Sequence, residues 1–269
     1  EEVVQAVKAD PGVKAVYITH NETSSTVLND VRAIAHAVRE VSDAFIIVDA
    51  VSSAGITRID MDGWGLDVVV TSSQKGLMSP PGIAIVAASK RAVEYASKKE
   101  NESYYFDVVK LKENADLSQS FTTFPVSDFM GFYEALKMLR EEGYEHAYAR
   151  HLVYRDLIRS SLREIGITFV ADDADASPCV TGVFAPEGTK ADEIISVMRD
   201  RYNVEVAGGQ KHLKGKAFRI GHMGFINTND LLVTVSAFEC ALKDLGLDFE
   251  FGAATRKFLE LRRTIGRDL

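Results

Sequence analysis

The sequence predicts an α/β fold, with a mostly parallel sheet covered by helices and a smaller α+β domain after it. Three observations carry that prediction. Short apolar runs alternate with amphipathic helical patterns through the first half. Two of those runs end on single charged or amide-flanked positions, Asp49 and Gln74-Lys75, among small residues. After Gly166 the character changes to shorter strand-like pieces separated by helices. The cut is expected inside the Gly143 region, giving a first domain over 1–142 and a second over 143–269.

The elements follow in order. The chain enters on what reads as the end of a helix, and Asp10-Pro-Gly12 turns it into a strand over Val13 to Ile18. Asn29 to Ser42 predicts an amphipathic helix, with Val31, Ile34, Ala35, Val38 and Val41 on one face. Strands are expected at Phe45 to Val48, Val68 to Thr71 and Ile83 to Ala87, then a helix from about Lys90 to Lys99. Asn101 to Phe124 reads as irregular, an ordered loop or partner-contact region. Ser127 is placed to cap a helix over Asp128 to Glu142, ended by Gly143, with a long helix from about Tyr144 to Glu164 behind it. Later strands are expected at Ile167 to Ala171, Thr181 to Ala185, Val204 to Ala207 and Phe218 to Ile220. Helices over about Lys190 to Tyr202 and Asn229 to Leu245 separate them.

Composition narrows the classes of function. The 269 residues are 46% hydrophobic and 26% charged, ordinary globular usage. A net charge of −8 provides no basic field for nucleic acid or anionic lipid. No apolar run reaches bilayer-spanning length, and Glu1-Glu-Val-Val-Gln-Ala-Val lacks the basic and apolar regions of a signal peptide. A soluble cytoplasmic protein is the expectation. Cys179 and Cys240 have neither disulfide-framework nor zinc-ligand spacing and read as small buried hydrophobes. The missing initiator methionine and mid-pattern entry suggest that an upstream portion precedes this sequence.

Chemistry is concentrated in a few segments. In Leu66-Asp-Val-Val-Val-Thr-Ser-Ser-Gln-Lys75-Gly-Leu-Met-Ser-Pro-Pro-Gly82, a lysine lies just past a buried strand, between small hydroxyl residues and a proline turn. A partly desolvated amine there suits Schiff-base formation with a carbonyl. Phe45-Ile-Ile-Val-Asp49-Ala-Val-Ser-Ser-Ala-Gly55 puts a carboxylate at another strand end, where ligands collect in open α/β sheets. Taken singly, Asp49 reads as a turn or cap residue and Lys75 as a solvated loop residue. Their joint occurrence favours a site. Phe218-Arg219-Ile-Gly-His-Met-Gly224 sets an arginine fork in a strand pattern beside two glycines, fit either to grip a carboxylate or to snorkel from an exposed face.

These segments resemble the class V aminotransferases, which are fold type I enzymes dependent on pyridoxal 5'-phosphate (PLP). Gln74-Lys75-Gly-Leu followed by Pro-Pro-Gly is similar to the branch of serine–pyruvate and alanine–glyoxylate aminotransferases, and the resemblance runs from about Val13 to Leu245. It implies the PLP-transferase fold type I, with the large domain apparently lacking its N-terminal portion, glycine-rich phosphate loop included. It implies that Lys75 holds PLP as an aldimine and then acts as base, while Asp49 keeps the pyridine nitrogen protonated. Arg219 matches the arginine that binds the substrate α-carboxylate. Thr19-His-Asn-Glu-Thr23-Ser-Ser-Thr26 resembles a T-H-x-E-T-S-T-G segment, which puts Thr23 beside the ring, with Ser25 and Thr26 where Thr and Gly are usual. His20 is read as a residue that steadies this loop. Gln74 matches a phosphate-contacting glutamine, Ser72 and Ser73 are further hydroxyl donors, and Thr123 matches a phosphate-contacting threonine given to the neighbouring subunit. Ser120 stands where a tyrosine is common.

The implied activity is transamination from a small amino acid such as serine or alanine to pyruvate or glyoxylate, in a homodimer with a shared site. Cysteine desulfurases resemble this fold but usually carry histidine before the lysine, where Gln74 stands, and need a mobile cysteine. In phosphoserine aminotransferases asparagine usually follows the lysine, where Gly76 stands. A truncated or non-catalytic member acting as an interaction protein is the alternative from another class.

Overall fold

The computed structural model describes residues 1–265. In chain order the elements are α1 Glu2–Ala9, β1 Ala15–Thr19, β2 Asn21–Glu22, β3 Val27–Leu28, α2 Val31–Arg39, β4 Phe45–Asp49, β5 Val68–Ser72 and β6 Ala84–Ala88. They continue as α3 Lys90–Ala96, α4 Val108–Asp116, α5 Val126–Glu142, α6 Tyr144–Arg163, β7 Val180–Phe184, α7 Ala191–Tyr202, β8 Ala207–Gly208, β9 Ala217–Gly221, α8 Thr228–Asp244 and α9 Ala253–Thr264. The described residues divide into two compact units, one of residues 1–20, 30–51 and 59–138, the other of 21–29, 52–58 and 139–265. Two segments of the first half thus belong to the second unit, which a cut at 142/143 does not anticipate.

The first unit is built on a sheet ordered β1-β4-β5-β6, parallel except for the antiparallel edge strand β6. β4 shows why the strand forms: Ile46 and Val48 are fully buried, alternating with half-buried Phe45 and Ile47. α2 lays Val31, Ala35 and Val38 into the core. Its start is capped by Asp30, whose side chain accepts from Ala33 N at 2.9 Å.

At the amino-terminal end of β5, buried Asp67 ties three elements together. It accepts from Ile46 N at 2.8 Å, from Arg91 at 2.9 and 2.7 Å, and from Arg39. Burial opposes the Asp67 charge, but the hydrogen bonds from Arg91, Ile46 N and Arg39 outweigh it and hold the carboxyl below its usual range.

The second unit packs α6, α7, α8 and α9 around a sheet ordered β7-β9-β8, all antiparallel. Its core includes Tyr154, Leu157, Ile158, Leu162, Phe218, Phe238 and Phe258.

Several expectations are corrected. Ile167 to Ala171 forms no strand, only a single bridge from Phe169 to Val183, and the Val204 to Ala207 strand shrinks to Ala207–Gly208. The irregular stretch 101–124 contains α4, capped by Asp107, which accepts from Val109 N and Lys110 N. Ser127 lies inside α5, which starts right after Pro125, whose carbonyl accepts the first helical bond from Phe129 N at 3.0 Å. α9 was not anticipated. Among the described residues no helix is long and apolar enough to cross a membrane.

Candidate active site

β4 and β5 run parallel, with β5 extending two residues past Asp49, and this brings Asp49 and the Ser72–Lys75 segment to the same end of the first unit's sheet. Asp49 pairs with Val70, and Ala50 N donates to Val70 O at 2.8 Å. The Asp49 carboxylate is exposed, and Oδ1 accepts from Val51 N at 2.9 Å. That bond orients the carboxylate and leaves Oδ2 without a partner among the described residues.

His20 lies on the other side of Asp49, since its N–H donates to the Asp49 carbonyl at 2.9 Å. Its ring is buried edge-on against Trp64, 6.0 Å between centroids. Burial pushes the imidazole down to about 4, so it is neutral near pH 7. This agrees with a role in steadying the loop.

Lys75 sits on a loop closed by Ser73. Ser73 N donates to Ile83 O at 3.0 Å, Ser79 N to Ser73 O at 3.0 Å, and Ser73 Oγ to Pro80 O at 2.7 Å. Ser73 is therefore committed to the loop and is not the spare hydroxyl donor that its position suggests. Met78 at φ +60 completes the turn, with its N–H on Lys75 O at 3.0 Å. Lys75 is half-buried, and its amine has no hydrogen bond or ion pair among the described residues. Ser72 Oγ is buried with no partner among the described residues, and Gln74 is exposed. α5 packs on this loop, where Gly131 approaches Pro80 and Ser79. Thr123 lies exposed in the segment leading into α5.

Thr23 and Arg219 belong to the second unit, which brings them together. Arg219 Nη1 donates to Thr23 O at 3.2 Å and Nε to Gly208 O at 3.1 Å, so the guanidinium is aimed by two backbone carbonyls while Nη2 has no partner among the described residues. The 23–26 turn joins β2 to β3, and Thr26 takes φ +58, the left-handed conformation that glycine adopts without strain. The turn therefore keeps a glycine-type backbone despite the threonine. Sequence reasoning passed over Glu22, whose Oε1 accepts from Ser24 N and Oγ, both at 2.7 Å. Those bonds hold its carboxyl below the usual range, helped by Lys211 and Arg219.

The residues present suit PLP. A partner-free, half-buried amine is the group an imine needs. Asp49 has one oxygen free for a ring N–H, and the buried, unpaired Ser72 Oγ is a donor in want of an acceptor such as phosphate. Among the described residues no group of three or more His, Cys, Asp or Glu side chains is placed to hold a metal ion.

The family model Aminotransferase class-V matches residues 3–229. The chain is 42% identical over 233 residues to a protein of Synechococcus sp. named soluble hydrogenase, small subunit, covering 87% of this chain and 60% of that one. It is 34% identical over 256 residues to the serine–glyoxylate aminotransferase of Methylorubrum extorquens, covering 92% of this chain and 64% of that one. The solved pyridoxamine–pyruvate aminotransferase of Mesorhizobium loti has a TM-score of 0.90 at 29% identity, covering 98% of this chain and 68% of that one. The chain spans about three fifths to two thirds of the length of the curated relatives it matches. Its fold is that of the PLP-transferases of fold type I. A family match that runs from α1 into α8 and takes in Asp49, Lys75 and Arg219 makes this chain a member of the class V aminotransferases, which are PLP-dependent enzymes.

Proposed function

We propose that this chain acts as a PLP-dependent transaminase, moving an amino group from a small amino acid such as serine or alanine to a 2-oxo acid such as pyruvate or glyoxylate. The observation that carries the reading is Lys75, a half-buried amine without a partner among the described residues, on a loop closed by Ser73. When bound, PLP supplies an electron-accepting ring that acidifies the Cα–H bond of the amino acid. Lys75 would hold the cofactor and then take the proton from the substrate Cα. Asp49 Oδ2 would accept the ring N–H and keep that nitrogen protonated, with Oδ1 held by Val51 N. Ser72, Gln74 and Thr123 would donate to the phosphate, all without adding charge. Thr23 would lie beside the ring.

Arg219 would bind the substrate α-carboxylate through its free edge and so orient the Cα–H bond. Names of relatives support the substrate class: serine–glyoxylate and alanine–glyoxylate aminotransferases are among them. A homodimer sharing Thr123 across subunits and a cytoplasmic location complete the proposal, together with a domain boundary near Gly143.

The test is the intact mass of the purified protein before and after borohydride reduction, with the adduct mapped by peptide. A pyridoxyl-phosphate adduct on Lys75, lost in Lys75→Ala together with turnover, is the expected result. An unmodified protein of 29.6 kDa would hand the lead to a non-catalytic interaction role.

A further inference from the structure

Beyond Arg219, strand β9 ends at Gly221 and the chain must reverse into α8, which starts at Thr228. That turn is hydrogen-bonded at alternate residues, His222, Gly224 and Ile226. His222 N donates to Cys179 O at 2.9 Å, and its ring Nε2 meets Thr181 Oγ1 at 2.9 Å, so the first turn residue is tied to β7. Gly224, at φ +76, gives its N–H to His151 Nε2 at 3.1 Å, while its carbonyl accepts from Arg150 Nη1 at 3.2 Å. The Ile226 carbonyl accepts from the Tyr154 hydroxyl at 3.1 Å.

Three of these grips come from one buried stretch of α6. Residues 150 and 154 stack one helical turn apart, with 151 beside them. His151 can do this in one tautomer only. Its Nδ1 lies 2.7 Å from the Ala147 carbonyl, which can only accept, so Nδ1 carries the proton and Nε2 keeps its lone pair for Gly224. Glu142 holds Arg150 in place with two bonds, 2.6 and 3.0 Å. Phe225 is 82% exposed, whereas His222 is fully buried and Ile226 packs on the core, so the turn is held by packing as well as by these hydrogen bonds.

We propose that Arg150, His151 and Tyr154 are positioning residues for the carboxylate anchor: they lock the turn after β9 and thereby hold Arg219 in register. The proposal rests on the reading of Arg219 as that anchor. If the turn frays, the last β9 pairs, Val180–Gly221 and Thr181–Ile220, lose their support, and the Arg219 fork two residues upstream shifts. A fork that must meet a carboxylate with two bonds tolerates little displacement.

The experiment compares wild type, His151→Ala, His151→Gln and Arg219→Ala as purified proteins. It reads pyruvate affinity by calorimetry, hydrogen exchange of the Gly224 amide, melting temperature, and KM against kcat. In His151→Ala the Gly224 amide is expected to exchange faster, pyruvate affinity to fall and KM for both substrates to rise by about tenfold, with a smaller change in kcat. His151→Gln offers an amide oxygen to Gly224 N–H and should recover much of the affinity. A lower melting temperature with unchanged pyruvate affinity and KM would show a merely structural contact and overturn the proposal. If Arg219→Ala also leaves pyruvate affinity unchanged, the anchor reading falls first and the lock falls with it. Loss of affinity in Arg219→Ala alone overturns only the lock.

Discussion

At the residue scale, the candidate site depends on a few groups left without protein partners. Lys75 and Ser72 Oγ are the clearest, and Lys75→Ala is expected to lower turnover by at least about 10²–10⁴ while abolishing the reducible adduct. Asp49→Asn should keep the adduct on Lys75 but lower turnover by about 10² or more, because an amide cannot hold the ring proton by charge; absorbance and rate on one preparation check both. A different residue carries strain instead. Lys211 takes φ +49 in the loop between β8 and β9. A left-handed lysine costs about 1–2 kcal/mol, partly offset by the unfolded-chain entropy that glycine adds. Lys211→Gly should therefore raise stability by about 0.5 kcal/mol, read as a shift in urea midpoint. The catalytic candidates were legible in the sequence because each sits in a local pattern, a strand running into a charged residue. The lock on Gly224 was not, because its partners are a backbone amide and carbonyl 73 and 74 positions from His151 and Arg150. No spacing rule on side chains reaches a backbone group that far away.

At the element scale, β4, β5 and β9 could be read because each is a short apolar run bounded by turn residues, and the helices α2, α6, α7 and α8 because they are periodic, with Asp30 capping α2 and Asn227 capping α8. α4 and α9 were missed although both carry an apolar face, because charged residues dominate their sequences; in α9 that face is Ala253, Ala254, Phe258 and Leu261. α9 is held by a group invisible to periodicity, the buried Glu239 of α8, which accepts from Ala254 N and Thr255 N, both at 3.0 Å. The sheet has a comparable device in Asp67, at the end of β5 away from Lys75. Asp67→Asn removes the charge that Arg39 and Arg91 share, and both arginines are partly exposed, so the loss should be roughly 2 kcal/mol rather than the full cost of a buried pair. Urea unfolding gives the loss. Adduct formation on Lys75 in the folded fraction should be unchanged, since Asp67 touches only the amino-terminal end of the strand.

For the whole molecule, three buried histidines set the response to acid. Burial lowers His20 and His151 to about 4 and His222 to about 3, whereas an unfolded histidine titrates near 6.5. Between those values the unfolded chain binds more protons than the folded one, so stability rises with pH through this window and is lost as pH falls through it. Each histidine should cost about 1.5 kcal/mol between pH 6.5 and pH 5, where all three remain mostly neutral in the fold. The carboxylates act in the same direction lower down: Asp67, Glu142 and Asp173 are all held below their usual range, and their contribution disappears only as pH falls through their folded values. The expected outcome is a melting temperature that is flat above about pH 7 and falls steeply from pH 6.5 to pH 5, above the range in which the lowered carboxylates Asp67, Glu142 and Asp173 take up protons. His151→Gln removes one of the three protons, so its pH slope in that window should be about two thirds of the wild-type slope, whatever its stability at pH 7. Equal slopes in the two proteins would mean that His151 is not neutral in the fold, and Gly224 would then have lost the lone pair that its N–H requires.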